Sequence, residues 1–172
     1  MTKAAAIHER AEKLFGGPPN HDRQQVIDHY RAALAKLKGD AARGAEVFDK
    51  NCAACHRHSP RENVGPRLGG LTDRSPDALL ISMLDPNREV KAAYLNYILA
   101  TKDDQEFSGI VVNETATSVT IRRAGGEEDA VLRKNIKSLT SSALSLMPDG
   151  LESLLNEQQM ADLIQYLQGH KD

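Results

Sequence analysis

The sequence predicts a mainly α-helical fold that carries a small inserted antiparallel β-sheet and begins with a helical hairpin. Three observations carry this reading. Apolar residues recur at three- and four-residue spacing through most of the chain. Between about residues 94 and 139 the pattern changes to period two and fills with β-branched residues. The length, 172 residues, is enough for one buried core with appendages.

Ile7, Ala11, Leu14 and Phe15 predict a first helix, stopped by Gly16-Gly17-Pro18-Pro19-Asn20. A second helix is expected from about Asp22, with Val26, Ile27, Tyr30, Leu34 and Leu37 on one face and Lys38-Gly39 closing it. These two form the hairpin, residues 1–39, read as packing or as a connector to an upstream domain. Asp40 is a candidate N-cap for a helix from Ala41 to about Asn51, with Gly44, Val47 and Phe48 on a common side. A Gly- and Pro-rich loop follows, from Ser59-Pro60 to Gly69-Gly70. Ser75-Pro76-Asp77 then opens a short helix holding Leu79, Leu80, Met83 and Leu84. The insertion, about 94–139, contains the strand candidates 97–101, 107–112, 118–123 and 129–136, with Ala124-Gly125-Gly126-Glu127 as a hairpin turn. Helical character is expected to return at Ser141. The last helix runs from Asn156 to about Gln168, with Met160, Leu163, Ile164 and Leu167 as its stripe.

With 27% charged residues and a net charge of −2, the chain lacks the cationic excess that bulk binding to nucleic acid requires. No apolar run is long enough for a spanning helix. The first residues lack the h-region and cleavage site of a secretory signal, which taken literally places the chain in the cytoplasm. Two cysteines exclude a disulfide scaffold. Aromatic residues make up only 4%, with no Trp, so the core must be aliphatic or be filled by something the sequence does not encode.

Cys52-Ala53-Ala54-Cys55-His56 is the strong chemical signal. Two thiols separated by two residues, followed at once by His, suit covalent attachment of one haem c: Cys52 and Cys55 form thioethers, and His56 is the proximal iron ligand. A zinc site would need further N or S ligands, and no second CxxC or HxxxH exists. A redox dithiol belongs between a strand and a helix, whereas this motif ends a helix. A structural disulfide leaves His56 unexplained.

Methionine is the common sixth ligand of electron-transfer haems. Met83 and Met160 lie in apolar helical stripes, where filling the core is their simplest role. Met147 precedes a proline in an irregular stretch and is the candidate. Pro66, with a carbonyl and no N–H, is the candidate acceptor for the other His56 nitrogen. Arg67, Arg74 and Arg88 are candidates for the haem propionates, against the alternative of solvated surface charge. The remaining histidines, His8, His21, His29, His58 and His170, read as solvent-facing.

Gly44-x-x-x-Phe48, the CxxCH run, Gly65-Pro66-x-Leu68, Met147-Pro148 and a last helix with Tyr166 resemble a class I c-type cytochrome. The resemblance implies a cytochrome c-like helical fold over residues 40–172, with Gly44 and Phe48 meeting Leu163, Tyr166 or Leu167. With Leu68-Gly69-Gly70-Leu71-Thr72, Met83-Leu84-Asp85-Pro86-Asn87 and Leu146 to Glu152, it is more narrowly similar to the haem-binding domain at the C-terminus of large exported dehydrogenase-like proteins. That likeness implies a periplasmic or exported setting, a segment of a longer chain, and a fused or partner dehydrogenase as electron donor. The function implied is one-electron transfer with no catalytic residue of its own. The alternatives are a five-coordinate or labile-ligand haem for gas sensing or peroxide chemistry, and a CxxC interaction module without cofactor.

Overall fold

The helices begin where short polar side chains satisfy otherwise orphaned N–H groups. The structure, a computed structural model, describes residues 21–56 and 64–170; the helix expected around Ile7–Phe15 lies outside them. Helix α1 spans His21–Leu34. Helix α2 spans Ala41–Asn51, and the Asp40 carboxylate accepts from the N–H groups of Ala42 and Arg43 at 2.9 and 3.0 Å. One further turn, α3, spans Ala53–His56. Helix α4, Pro76–Leu84, starts with Pro76 in its first turn and the Ser75 hydroxyl accepting from Ala78 N–H. Helix α5, Glu157–Gly169, opens with a reciprocal capping box between Asn156 and Gln159. Among the described residues no helix is long and apolar enough to cross a membrane.

The expectation of a mainly helical, cytochrome c-like fold is overturned. Five strands, β1 (Leu95–Thr101), β2 (Glu106–Glu114), β3 (Ser118–Arg122), β4 (Glu128–Leu132) and β5 (Ile136–Ser145), form one antiparallel sheet in the order β4-β3-β2-β1-β5. The physical reason is that the sheet has a core of its own. Leu99, Val119 and Ile121 are fully buried and, with Val131, gather Tyr97, Phe107, Val111, Ile136 and Leu139 around them. A second layer of this size makes the chain a mixed α and β protein. Strand β5 also continues through residues where helical character was expected. Its register against β1 passes from Tyr97↔Ser141 to Leu95↔Ser145, so extra residues are accommodated around Ala143, which has φ 60°. The Ser141 and Ser142 hydroxyls accept from the N–H groups of Ala143 and Leu144, giving the backbone an alternative to a helix.

The helical core is separate. Ile27, Leu80, Leu84, Leu155, Met160 and Leu163 are its most enclosed large side chains. Ile27 and the buried Tyr30 place α1 within this core, and the Tyr30 hydroxyl donates to the Leu155 carbonyl at 2.5 Å. Arg31 Nε bonds Asp77 at 2.7 Å, fastening α1 to α4.

Helices α2 and α5 cross at Gly44, where a Cβ would lie 2.0 Å from the Asp162 carbonyl oxygen. Phe48 then meets Tyr166, with ring centroids 5.4 Å apart. Beside this crossing the Asp162 carboxylate, 2% exposed as a residue, accepts from the Asp40 N–H, from Gln158 and from both Nε and Nη2 of Arg43. The Arg43 bonds, followed by those of Gln158 and Asp40, hold this carboxyl below the usual aspartate range despite its burial. Its stabilising contribution is therefore complete above the ordinary aspartate pKa and disappears as pH falls through the lower folded value. Asp162→Ala is expected to cost about 3 kcal/mol in urea unfolding at neutral pH, and to cost progressively less as the solution is acidified below the aspartate range. An unchanged midpoint at pH 7 would contradict this assignment.

Candidate haem site

The end of α2 builds the first half of the site. Cys52 leaves the helix at φ −122°, with its N–H still bonded to the Phe48 carbonyl. Cys55 and His56 both donate their N–H groups to the Cys52 carbonyl, at 3.1 and 3.0 Å. The two cysteines and the histidine thus occupy a single helical turn. Both thiols are free and half-buried. Burial, with the neighbouring Cys55 adding to it, pushes the Cys52 thiol up to about 11, and burial raises Cys55 as well. A redox dithiol requires the opposite shift, toward a stabilised thiolate, so the environment of these cysteines disfavours that rival.

The loop from Val64 returns over the histidine. Gly65 donates its N–H to the Cys55 carbonyl at 3.1 Å, and an added Cβ there would lie 2.4 Å from His56 Cε1. His56 Nδ1 lies 3.0 Å from the Pro66 carbonyl. Since a carbonyl only accepts, Nδ1 carries the proton and Nε2 presents its lone pair. Burial holds this imidazole below the usual histidine range, partly offset by the Pro66 bond, so it is neutral at neutral pH. A neutral imidazole with its second nitrogen anchored is the form that ligates a metal.

Met147 is half-buried and packs on the same helical core as Cys52, together with the partly covered side chains of Leu68, Leu71 and Ile81. Its N–H donates to the Ser145 hydroxyl at 3.1 Å. Met83 and Met160 are buried within that core. Two thiols on one turn, an imidazole wedged against a glycine, a thioether and incompletely covered aliphatic side chains are a donor set and lining that fit haem c. Among the described residues no group of three or more His, Cys, Asp and Glu gathers as a metal site.

The arginines differ in their engagements. Arg67 is exposed at the start of the 3-10 turn Leu68–Gly70. Arg74 donates to the carbonyls of Leu68, Gly69, Leu167 and His170, tying this loop to the end of α5. Arg88 bonds Asp85 and Gln24. Arg74 and Arg88 are therefore committed to protein partners. The His170 ring packs beside Phe48 and Tyr166 instead of facing water alone, and the exposed His29 pairs with Glu157. The side chains of His8, His21 and His58 lie outside the described residues.

Sequence reasoning missed two contacts of the candidate residues, one at Cys55 and one around Met147. The turn after β3 reaches it, with Cys55 Sγ 3.6 Å from the Ala124 carbonyl. Asn87 reaches both sides of Met147, by hydrogen bonds to Ser145 and Asp149. The Asp85-Pro86-Asn87 turn is visible in the sequence, but its partners are not.

Residues 41–171 match the cytochrome c family. A cytochrome c-553-like protein of Synechocystis sp. is 33% identical over 83 residues, covering 42% of this chain and 79% of that protein. The cytochrome c-type cyt cy of Rhodobacter capsulatus is 28% identical over 85 residues, covering 37% of this chain and 43% of that protein. With the family match spanning most of its length and a CxxCH turn near the start of the matched residues, this chain belongs to the cytochrome c family, as a class I c-type cytochrome that holds haem c covalently and transfers electrons to or from a redox partner.

Proposed function

We propose that Cys52 and Cys55 carry the two thioethers, that His56 Nε2 and the Met147 sulfur are the axial ligands, and that the chain relays single electrons from a fused or partner dehydrogenase. When bound, the haem supplies the one-electron couple; the polypeptide supplies ligands, orientation and exclusion of water. Pro66 fixes the His56 ring and its proton through the Nδ1–H bond, which keeps Nε2 basic. Arg67, exposed beside Leu68, is the candidate contact for a propionate. With His56 and Met147 both holding the iron, no position would remain for a substrate there, and no acid, base or nucleophile is assigned. The observation that carries the reading is the neutral His56, anchored at 3.0 Å to Pro66 on the same turn as two half-buried thiols.

The setting proposed is periplasmic or exported, as suits haem attached outside the cytoplasm. Of the expected hairpin, residues 1–39, the described part is α1, proposed as a connector, and residues 40–172 are proposed as the cytochrome c domain with its β insertion at about 94–139. The contact of Tyr30 with Leu155 gives such a connector a firm seat on the domain.

Met147→Ala is expected to abolish the methionine–iron charge-transfer band of the oxidised protein and to lower the reduction potential, since thioether ligation favours the ferrous state. A high-spin ferric spectrum in the unaltered protein would instead support the five-coordinate alternative. Cys52→Ser with Cys55→Ser is expected to remove the haem adduct from the intact mass; an adduct that survives would refute the thioether assignment.

A further inference from the structure

The stretch around Met147 is closed into a small arch by a residue about 60 positions earlier in the chain. Asn87, half-buried in the turn after α4, uses both ends of its side-chain amide. Its Oδ1 accepts from the Ser145 N–H at 2.8 Å, and its Nδ2 donates to Asp149 Oδ2 at 2.8 Å. Ser145 and Asp149 stand two residues before and two residues after Met147. Within the arch, Met147 N–H bonds the Ser145 hydroxyl and Pro148 restricts the backbone on the other side.

The position of Asn87 makes this bridge consequential. Helix α4 is anchored by Leu79, Leu80, Met83 and Leu84, all buried in the helical core. Ser145, in contrast, is the last residue of β5 and belongs to the sheet, which packs around a different core. Leu146 N–H bonds the Tyr94 carbonyl at the base of β1, so the residue before Met147 follows the sheet. Without a tie to α4, any displacement of the sheet would pass directly into the Met147 backbone.

We infer that Asn87 is a positioning residue which clamps the Met147 arch to the helical core and so sets how firmly the Met147 sulfur is held at its ligating position. The inference rests on Met147 as axial ligand. Asn87 is assigned no ligand role; it acts through Ser145 and Asp149.

The test uses the haem-loaded protein and five variants. Asn87→Asp keeps an acceptor for Ser145 N–H but sets a carboxylate against Asp149, breaking the second bond. It is expected to weaken the methionine charge-transfer band and to speed imidazole binding to the ferric haem about tenfold, the effect of losing one hydrogen bond to a charged acceptor. Asp149→Asn alone is expected to leave both readouts near wild type, because the introduced amide still offers a carbonyl oxygen to Asn87 Nδ2. The double exchange, Asn87→Asp with Asp149→Asn, is expected to restore them, since the amide introduced at position 149 then donates to the carboxylate introduced at position 87. Asp149→Ala removes the same bond at an exposed residue without adding charge, and a smaller acceleration is expected. Covalent haem content and far-UV circular dichroism establish that each variant is folded.

Wild-type imidazole kinetics in both Asn87→Asp and Asp149→Ala, or a double exchange no better than Asn87→Asp, would overturn the clamp. Met147→Ala separates the two failures. If it abolishes the band while the Asn87 variants change nothing, only the clamp falls; if it leaves the band intact, the ligand assignment falls and the clamp with it.

Discussion

Gly44→Ala is expected to destabilise the protein by about 3 kcal/mol or more, reversing the sign that helix propensity alone would give. Inside a helix, exchanging Gly for Ala ordinarily stabilises by about 0.5–1 kcal/mol, because the glycine backbone has more freedom to lose. At this position the new Cβ would lie 2.0 Å from the Asp162 carbonyl oxygen, 2.6 Å from its carbon and 2.7 Å from Tyr166 Cβ. The first two are backbone atoms of α5, so no side-chain rotation relieves the overlap and the helices must separate. Separation would also pull Phe48 away from Tyr166 and strain the Asp162 bonds to Asp40 and Arg43. Urea or thermal unfolding measures the effect, and a variant as stable as wild type would show that the two backbones do not meet at Gly44.

Gly65→Ala is expected to disturb the haem site without a comparable loss of stability. Its Cβ would lie 2.4, 2.6 and 2.9 Å from His56 Cε1, Nδ1 and Nε2, contacts no imidazole tolerates. The ring must rotate or the loop must lift, and either movement breaks the Nδ1–H bond to Pro66. That bond holds both the proton on Nδ1 and the direction of Nε2. The yield of covalently loaded protein should fall severalfold, and the remainder should show a mixed-spin ferric spectrum. Gly70→Ala is the matched control, since no atom lies within 4 Å of its added Cβ. Equal haem yield and identical spectra for the two variants would show that the His56 ring does not depend on a bare backbone at position 65.

Much of the candidate site is legible as sequence because its chemistry is local. Cys52, Cys55 and His56 are neighbours on a single turn, and Pro66 announces a carbonyl without an N–H in a tight loop. Met147 stands out because it lies outside the helical stripes that hold Met83 and Met160. Arg74 and Arg88 illustrate the opposite case. Each reads as a cation free to meet an anion, yet Arg74 spans 96 positions to reach His170 and Arg88 spans 64 to reach Gln24. No local pattern encodes such partners.

The sheet shows the same division. The alternation of apolar and polar residues in β3, from Val119 to Arg122, marks a strand in the residue pattern itself, although in the sheet Thr120 is buried along with Val119 and Ile121. The serine-rich end of β5 carries no such alternation, and its strand character comes from pairing with β1 more than 40 residues earlier. The departure from a mainly helical fold class follows from this, because whether an insertion decorates a helical core or builds its own depends on which side chains meet across strands.

By itself the sequence determined the Cys52–His56 turn as the candidate haem-attachment segment, the helix starts at Asp40, Ser75 and Asn156, and the presence of strands, since each depends on groups a few residues apart. The tertiary structure decided that Asp162 is a buried anion, that Asn87 bridges Met147, that the β3–β4 turn meets Cys55, and that the sheet is a second layer with its own core. The first three of these meetings join groups separated by about 60 to more than 100 residues in the chain, and all of them are set by how the helices and strands pack.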